Sequence, residues 1–90
     1  MAHHKSAIKR IRTSREARTR NRQWRSRLRT KIKDVRGAET PEAARAALEA
    51  AIPVIDSTAR KGIIHKNAAA RQKSRLTQFV REMEAGEQSA

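Results

Sequence analysis

The chain has 90 residues, no cysteine, and a formal net charge of +13, with 22 lysines and arginines against nine acids. This length allows one domain, and the lack of cysteine excludes a disulfide framework and a thiolate metal site. No apolar run approaches the roughly 18 residues of a membrane span, and the charged start is unlike a signal peptide. We expect one cytoplasmic domain over residues 1–90, with a basic excess typical of nucleic-acid binders.

The first predicted helix covers residues 5–36 and holds most of the charge, since fourteen of the first 36 residues are Lys or Arg and two are acids. At about 100° per residue, one face is apolar. This face comprises Ala17, Trp24, Leu28, Ile32 and Val35. It does not continue towards the N-terminus, where Arg10 lies in line and Ile8 and Ile11 fall beside it. We therefore predict that residues 1–15 project as a basic arm that is poorly ordered until nucleic acid neutralises it.

The second predicted helix lies between two glycines. Gly37 ends the first helix, and Thr40 before Pro41 is typical of a helix start, because the hydroxyl caps an N–H and proline suits the first turn. The helix is expected to reach about residue 61, before Gly62. Its apolar face comprises Ala44, Ala47, Leu48, Ala51, Ile52, Ile55 and Ala59. Pro53 interrupts it, so we expect a kink near residues 49–52.

The third predicted helix covers residues 64–84, and residues 86–90 are expected to form a disordered tail. Its apolar stripe comprises Ala68, Gln72, Leu76, Phe79, Val80 and Met83. Short connections place neighbouring helices antiparallel. The predicted fold class is therefore all-α, an antiparallel up-down-up three-helix bundle with an N-terminally extended basic first helix.

The charge of the chain alternates in four blocks. Residues 1–36 carry +12, residues 37–59 carry −3, residues 60–76 carry +6 and residues 77–90 carry −2. The first and third helices run parallel in the predicted bundle, so residues 64–75 should lie beside about residues 16–28 and form one basic end. The acids expected at the other end are Glu39, Glu42, Glu82, Glu84 and Glu87. The pattern predicts a polarised rod.

The aromatic residues and the start of the third helix allow a few specific predictions. Trp24 and Phe79 are expected in the core, with stacking on a nucleic-acid base as the alternative for Trp24. With so few aromatic residues, recognition should rest on phosphates, sugars and shape. His65 and Asn67 are expected either to cap the third helix or to hydrogen-bond RNA.

The sequence offers little chemistry for catalysis or metal binding. Its three histidines stand without cysteine, no nucleophile–base pair is visible, and its three glycines all fall at helix ends rather than in a phosphate loop. We therefore expect no enzyme activity, no metal, no cofactor and no small-molecule substrate. Residues 67–75 look like the basic region of a leucine-zipper protein, but the leucine heptads that such a protein needs are missing.

Residues 61–76, KGIIHKNAAARQKSRL, closely resemble the third-helix signature of bacterial small-subunit ribosomal protein number twenty. Residues 5–12, KSAIKRIR, residues 20–22, RNR, and residues 26–30, SRLRT, are similar to that family's first helix. The match runs in order along nearly the whole chain. Two features depart from the family pattern: the His3-His4 start, and Pro53 in a helix that is normally uninterrupted.

The resemblance implies a three-helix bundle that binds directly to small-subunit ribosomal RNA during assembly and remains as a structural component, with other small-subunit proteins touched only peripherally. The implied first-helix contacts are Lys5, Lys9, Arg10, Arg12, Arg15, Arg18, Arg20, Arg22, Arg25, Arg27 and Arg29. The implied third-helix contacts are His65, Lys66, Asn67, Arg71, Ser74 and Arg75.

Two alternatives share the same basic charge. A DNA-compacting, nucleoid-type protein would be distinguished by its preference for duplex DNA over folded RNA. A membrane-surface protein is disfavoured, because the apolar stripes are rich in alanine and complement one another as in a bundle.

Overall fold

The computed structural model describes the backbone of residues 2–89 and the side chains of residues 7–86. It consists of three helices: α1 (Ala2–Arg36), α2 (Pro41–Arg60) and α3 (Lys66–Ser89). No strand occurs between residues 2 and 89. The predicted all-α three-helix fold is therefore confirmed.

The junction between α1 and α2 forms as the sequence predicts. Helix α1 ends at Arg36, and the N–H of Gly37 still donates to the carbonyl of Lys33 at 2.8 Å. The Thr40 hydroxyl accepts a hydrogen bond from the N–H of Ala43 at 3.2 Å. Pro41 then occupies the first turn, where its missing N–H would have had no helical partner anyway.

The end of α2 is a glycine turn. Gly62 has a φ of +75°, and its N–H donates to the carbonyl of Ala59 at 2.9 Å. The N–H of Ile63 donates to the carbonyl of Thr58 at 3.1 Å. This pair of bonds defines a Schellman turn, in which the residue with positive φ is nearly always glycine because a Cβ atom strains the left-handed backbone.

Helix α3 starts and ends later than predicted. It begins at Lys66 because His65 is its cap: His65 Nδ1 accepts from the N–H of Asn67 at 3.1 Å. The prediction of an end at Glu84 is wrong, since the helical backbone passes Gly86 and reaches Ser89. Part of the predicted tail, residues 86–89, is thus helical here, and Ala90 lies outside the described residues. The disorder of that tail in solution stays a prediction.

Helix α2 lies between the other two helices and packs on both, whereas α1 and α3 meet along a short stretch. The buried apolar core comprises Leu28, Val35, Ala44, Leu48, Ala51, Ile55, Ala69, Leu76 and Val80. Helix α1 contributes to it only through Leu28 and Val35, both in its C-terminal half. The buried Thr58 hydroxyl donates to the carbonyl of Val54 at 2.6 Å, so this polar group is satisfied within α2.

Pro53 does not end α2, which is helical on both sides of it. Proline has no N–H, so the carbonyl of Glu49 lacks the donor that position 53 would otherwise supply. The Pro53 ring is exposed to solvent. The structure thus shows one backbone hydrogen bond fewer inside a continuous helix, and the kink expected near residues 49–52 stays a prediction.

Contacts between side chains of different helices set the register of the bundle. Arg45 pairs with Glu84, and Lys73 Nζ lies 2.8 Å from Asp56 Oδ1, so α2 and α3 are antiparallel. Arg36 Cζ lies 5.9 Å from the centre of the Phe79 ring, so the end of α1 lies beside the middle of α3. The predicted pairing of residues 64–75 with about residues 16–28 of α1 stays a prediction.

The molecule is an elongated rod with principal-axis extents of 73 × 22 × 13 Å. Its radius of gyration is 18.4 Å, against about 12 Å for a compact chain of this length. The elongation arises because the N-terminal half of α1 extends beyond the core, and every side chain from residue 7 to residue 16 is exposed. This placement agrees with the predicted projection of the arm, whose mobility stays a prediction.

Candidate nucleic-acid interface

The residues predicted to contact RNA lie on the surface wherever the structure describes them. Exposed in α1 are Lys9, Arg10, Arg12, Arg15, Arg18, Arg20, Arg22, Arg25, Arg27 and Arg29. Exposed at the start of α3 are His65, Lys66, Asn67, Arg71, Ser74 and Arg75. The side chain of Lys5 lies outside the described residues. Of these cations, none takes part in the two ion pairs found between residues 7 and 86.

Four of these arginines share one groove along α1. Arg18, Arg22, Arg25 and Arg29 line it together with Asn21 and Ser26. Arginines three or four positions apart are neighbours on a helix, and like charges at that spacing destabilise it. The groove, which we call the α1 arginine groove, therefore carries an excess of positive charge that an external anion would relieve. The amide and the hydroxyl add neutral hydrogen-bonding groups beside the guanidinium groups.

A second basic surface lies further towards the N-terminus of α1. Lys9 and Arg10 line it with Thr13, Ser14 and Ala17, and the Thr13 hydroxyl is turned inward to donate to the Lys9 carbonyl at 2.8 Å. At about 100° per residue, this surface faces about 120° around α1 from the α1 arginine groove, so it is a separate basic surface on the arm.

The exposed residues at the start of α3 are what we call the patch at the start of α3, and they comprise His65, Lys66, Asn67, Arg71, Ser74 and Arg75. His65 uses Nδ1 as the acceptor of its capping bond, so a neutral imidazole carries its proton on Nε2 and can donate outward. The prediction that His65 caps the helix is confirmed, while Asn67 supplies the backbone N–H rather than a capping side chain. At the other side of this patch, Arg75 and Arg36 line a groove between α3 and α1.

The prediction of Trp24 as a core residue is wrong. Trp24 is only half-buried and lies outside the core cluster, which on α1 begins one turn later at Leu28. Its ring instead contacts two cations, with Lys61 Nζ at 5.0 Å and Arg27 Cζ at 5.3 Å from the ring centre. Phe79, in contrast, is half-buried and packs against the core as expected.

Lys61 is a basic residue that was not among the RNA contacts predicted from the sequence. It lies in the turn after α2, and only the packing of that turn against α1 brings its ammonium group to Trp24. A contact between residues 37 positions apart leaves no periodic signal in the sequence.

The carboxylates are only partly separated from the basic surfaces: Glu82 lines the groove that Arg36 and Arg75 form, and Glu16 is exposed among the cations of the arm. Glu42 is in the first turn of α2, beside the end of α3, where Glu84 pairs with Arg45. The side chain of Glu87 lies outside the described residues. Among the residues that the structure describes, no three metal-ligating side chains cluster, and no helix is long and apolar enough to cross a membrane.

These features define a class: small, elongated, all-helical proteins whose exposed cations suit a polyanionic partner. Comparison with known proteins narrows the class. The model of the family described as Ribosomal protein S20 matches residues 2–81. The chain therefore belongs to the ribosomal protein S20 family, which confirms the resemblance drawn from its motifs and the prediction of a non-enzymatic protein.

Curated relatives agree over most of their length. The chain is 60% identical over 83 residues to the small ribosomal subunit protein bS20 of Geobacter metallireducens, covering 89% of this chain and 95% of the relative. It is 58% identical to the protein of that name from Trichlorobacter lovleyi, with the same coverage. The corresponding protein of Thioalkalivibrio sulfidiphilus is 52% identical over 86 residues, 92% of this chain and 100% of the relative.

Proposed function

We propose that this protein is a structural constituent of the small ribosomal subunit in the cytoplasm, where it binds directly to small-subunit ribosomal RNA and stabilises its fold during assembly. The observation that carries this proposal is the exposure of every described residue of the predicted interface. Membership of the S20 family and the names of the relatives support the ribosomal setting. Other proteins of the subunit are expected to contact this one only peripherally.

The mechanism is charge neutralisation on more than one side of the rod. The arginines of the α1 arginine groove bind phosphates of one RNA segment, and the patch at the start of α3 binds phosphates of another. Each neutralised phosphate releases condensed counterions, which supplies most of the binding free energy at low salt. Because both contact surfaces belong to one rigid bundle, binding holds the two RNA segments together.

The salt dependence of binding tests this mechanism. If about ten phosphates are engaged, the logarithm of the association constant should fall with the logarithm of salt concentration with a slope of about −7 to −9. Titration of labelled small-subunit RNA with the full chain at several salt concentrations gives the slope. A value shallower than about −3 would contradict the proposed mechanism.

A competition experiment tests the alternative, a DNA-compacting protein. The full chain is offered small-subunit RNA and duplex DNA of equal length at one salt concentration. We expect preferential binding to the folded RNA. Equal or stronger binding to the duplex would favour the alternative, as would sedimentation of the tagged protein with the nucleoid, not the small subunit, from a cell lysate.

Two matched arginines of α3 test the location of the interface. Arg71 belongs to the patch at the start of α3, whereas Arg81 lies near its acidic end, and both side chains are exposed. Arg71→Gln is expected to weaken RNA binding several-fold and to reduce the salt slope by about 1, while Arg81→Gln leaves both close to the wild-type values. Equal losses for the two variants would mean that net charge alone determines binding.

A further inference from the structure

The half-buried Trp24 holds two cations that come from different parts of the fold. Arg27 follows it by one turn of α1, and Lys61 reaches it from the turn between α2 and α3. The guanidinium carbon and the ammonium nitrogen lie 5.3 and 5.0 Å from the ring centre, so the two charges are at most 10.3 Å apart. The π electrons of the indole ring attract each cation, which offsets their mutual repulsion.

Lys61 is mounted on a rigid part of the backbone. Its N–H donates to the carbonyl of Ser57 at 3.0 Å, and the following two residues close the Schellman turn. That turn is anchored by Thr58, which is fully buried. The backbone at Lys61 is therefore fixed relative to α1, and the Trp24 ring restricts the side chain further.

The two cations at the Trp24 ring favour a phosphate over a stacked base as the ligand. A base that stacked on Trp24 would have to displace the two cations that already lie over the ring. A phosphate would instead approach the two cations beside the ring and accept charge-assisted hydrogen bonds of about 2.7–2.9 Å from the guanidinium and ammonium groups. Such a ligand needs no rearrangement of the ring.

The Arg27–Lys61 pair also lies on a different side of α1 from the α1 arginine groove. At about 100° per residue, Arg27 points about 170° around α1 from the mean direction of Arg18, Arg22, Arg25 and Arg29. A ligand at Arg27 and Lys61 therefore approaches α1 from nearly the opposite side.

We propose that Arg27 and Lys61, held together by the Trp24 ring, form a binding site for a backbone phosphate of a second RNA segment, on the side of α1 opposite to the α1 arginine groove. This proposal rests on the proposed RNA-binding function and adds Lys61 and Trp24 to the interface. The indole is a positioning group, and the two cations are the ligand-binding groups.

Variants of the full chain test the site through affinity for small-subunit RNA and through the salt slope. Lys61→Gln should weaken binding about five- to tenfold and reduce the magnitude of the slope by about 1. Lys61→Arg, which keeps the charge, should bind like the wild type. Trp24→Leu should cause a loss similar to that of Lys61→Gln, because the cations are then no longer held together.

A double-mutant comparison separates positioning from general packing. The losses of Trp24→Leu and Lys61→Gln should not multiply when combined, since both remove one site. The losses of Trp24→Leu and Lys66→Gln should multiply, because Lys66 belongs to the patch at the start of α3. Wild-type affinity and slope for Lys61→Gln would overturn the site, and so would multiplying losses for Trp24 with Lys61. In contrast, failure of the wild type to prefer RNA would overturn the proposed function itself.

Fluorescence of the wild type gives a second readout that needs no variant. Trp24 is the single tryptophan, and the chain has no tyrosine, so the emission reports this site alone. Saturating RNA should reduce the quenching of Trp24 by acrylamide, because a bound phosphate backbone covers the ring and its cations. Unchanged quenching at saturation would place the RNA elsewhere and overturn the site.

Discussion

Replacing Pro53 with alanine is expected to stabilise the free protein substantially. Pro53 is the thirteenth of the 20 residues of α2, so it lies deep in the helix interior. A proline ring in a helix interior crowds the preceding turn, and the carbonyl of Glu49 lacks a helical donor. Alanine at this position restores the N–H and removes the ring, and no core contact is lost because the ring is exposed.

The missing hydrogen bond and the proline ring together set the gain in stability expected for Pro53→Ala. Proline is about 3 kcal/mol less favourable than alanine in a helix interior. For a domain of 60–100 residues each kcal/mol shifts the melting temperature by about 4–8 °C, so the Tm should rise by about 12–24 °C. The free energy of unfolding should rise by the same 3 kcal/mol or so, within the usual variation between sites.

Thermal and urea unfolding followed by circular dichroism measure both quantities, and α2 itself supplies the matched control. Pro41 occupies the first turn of the same helix, where the missing N–H has no helical partner. Pro41→Ala should therefore change the stability by less than about 0.5 kcal/mol. A wild-type melting temperature for Pro53→Ala would contradict this prediction, and so would an equal gain in stability for Pro41→Ala.

Three further predictions concern the turn, the cap and the arm. Gly62→Ala should lose about 1–2 kcal/mol in urea unfolding, whereas Gly86→Ala, in helical backbone with no atom near its Cβ position, should lose nothing; equal losses would contradict the role of the positive φ. Thr40→Ala should lose about 1 kcal/mol, and unchanged stability would mean that its capping bond contributes little. Amides of residues 7–15 should exchange rapidly in the free protein and slowly with RNA bound; slow exchange without RNA would rule out a mobile arm.

The ends of the helices at the two connections are predictable because they depend on local chemistry. Gly37, the Thr40–Pro41 pair and Gly62 act through their own backbones and immediate neighbours, and the structure places helix ends at all of them. The end of α3 was not predicted correctly from the sequence, because Gly86 lies in helical backbone and does not adopt a positive φ. A glycine ends a helix only where it adopts a positive φ. The residues next to Gly86 do not determine whether it does so.

The position of one helix against another was predictable only roughly. Trp24 lies beside the turn after α2, where Lys61 contacts its ring, and not in the core. The path of that turn is set by the packing of the helices, which the helical periodicity of the sequence does not encode. The exposure of the interface cations could be predicted without knowing how the helices are aligned, since arginine and lysine are almost never fully buried without a partner.

The elongated shape has a consequence for how surface area is divided between folding and binding. The protein exposes 7103 Å², whereas a compact monomer of this mass would expose about 5300 Å². The difference, roughly 1800 Å², falls within the 1,000–2,500 Å² of protein surface that specific nucleic-acid complexes cover. The extended shape thus leaves exposed an extra surface about as large as a protein–nucleic acid interface, and a bound partner would cover it without any change in the fold.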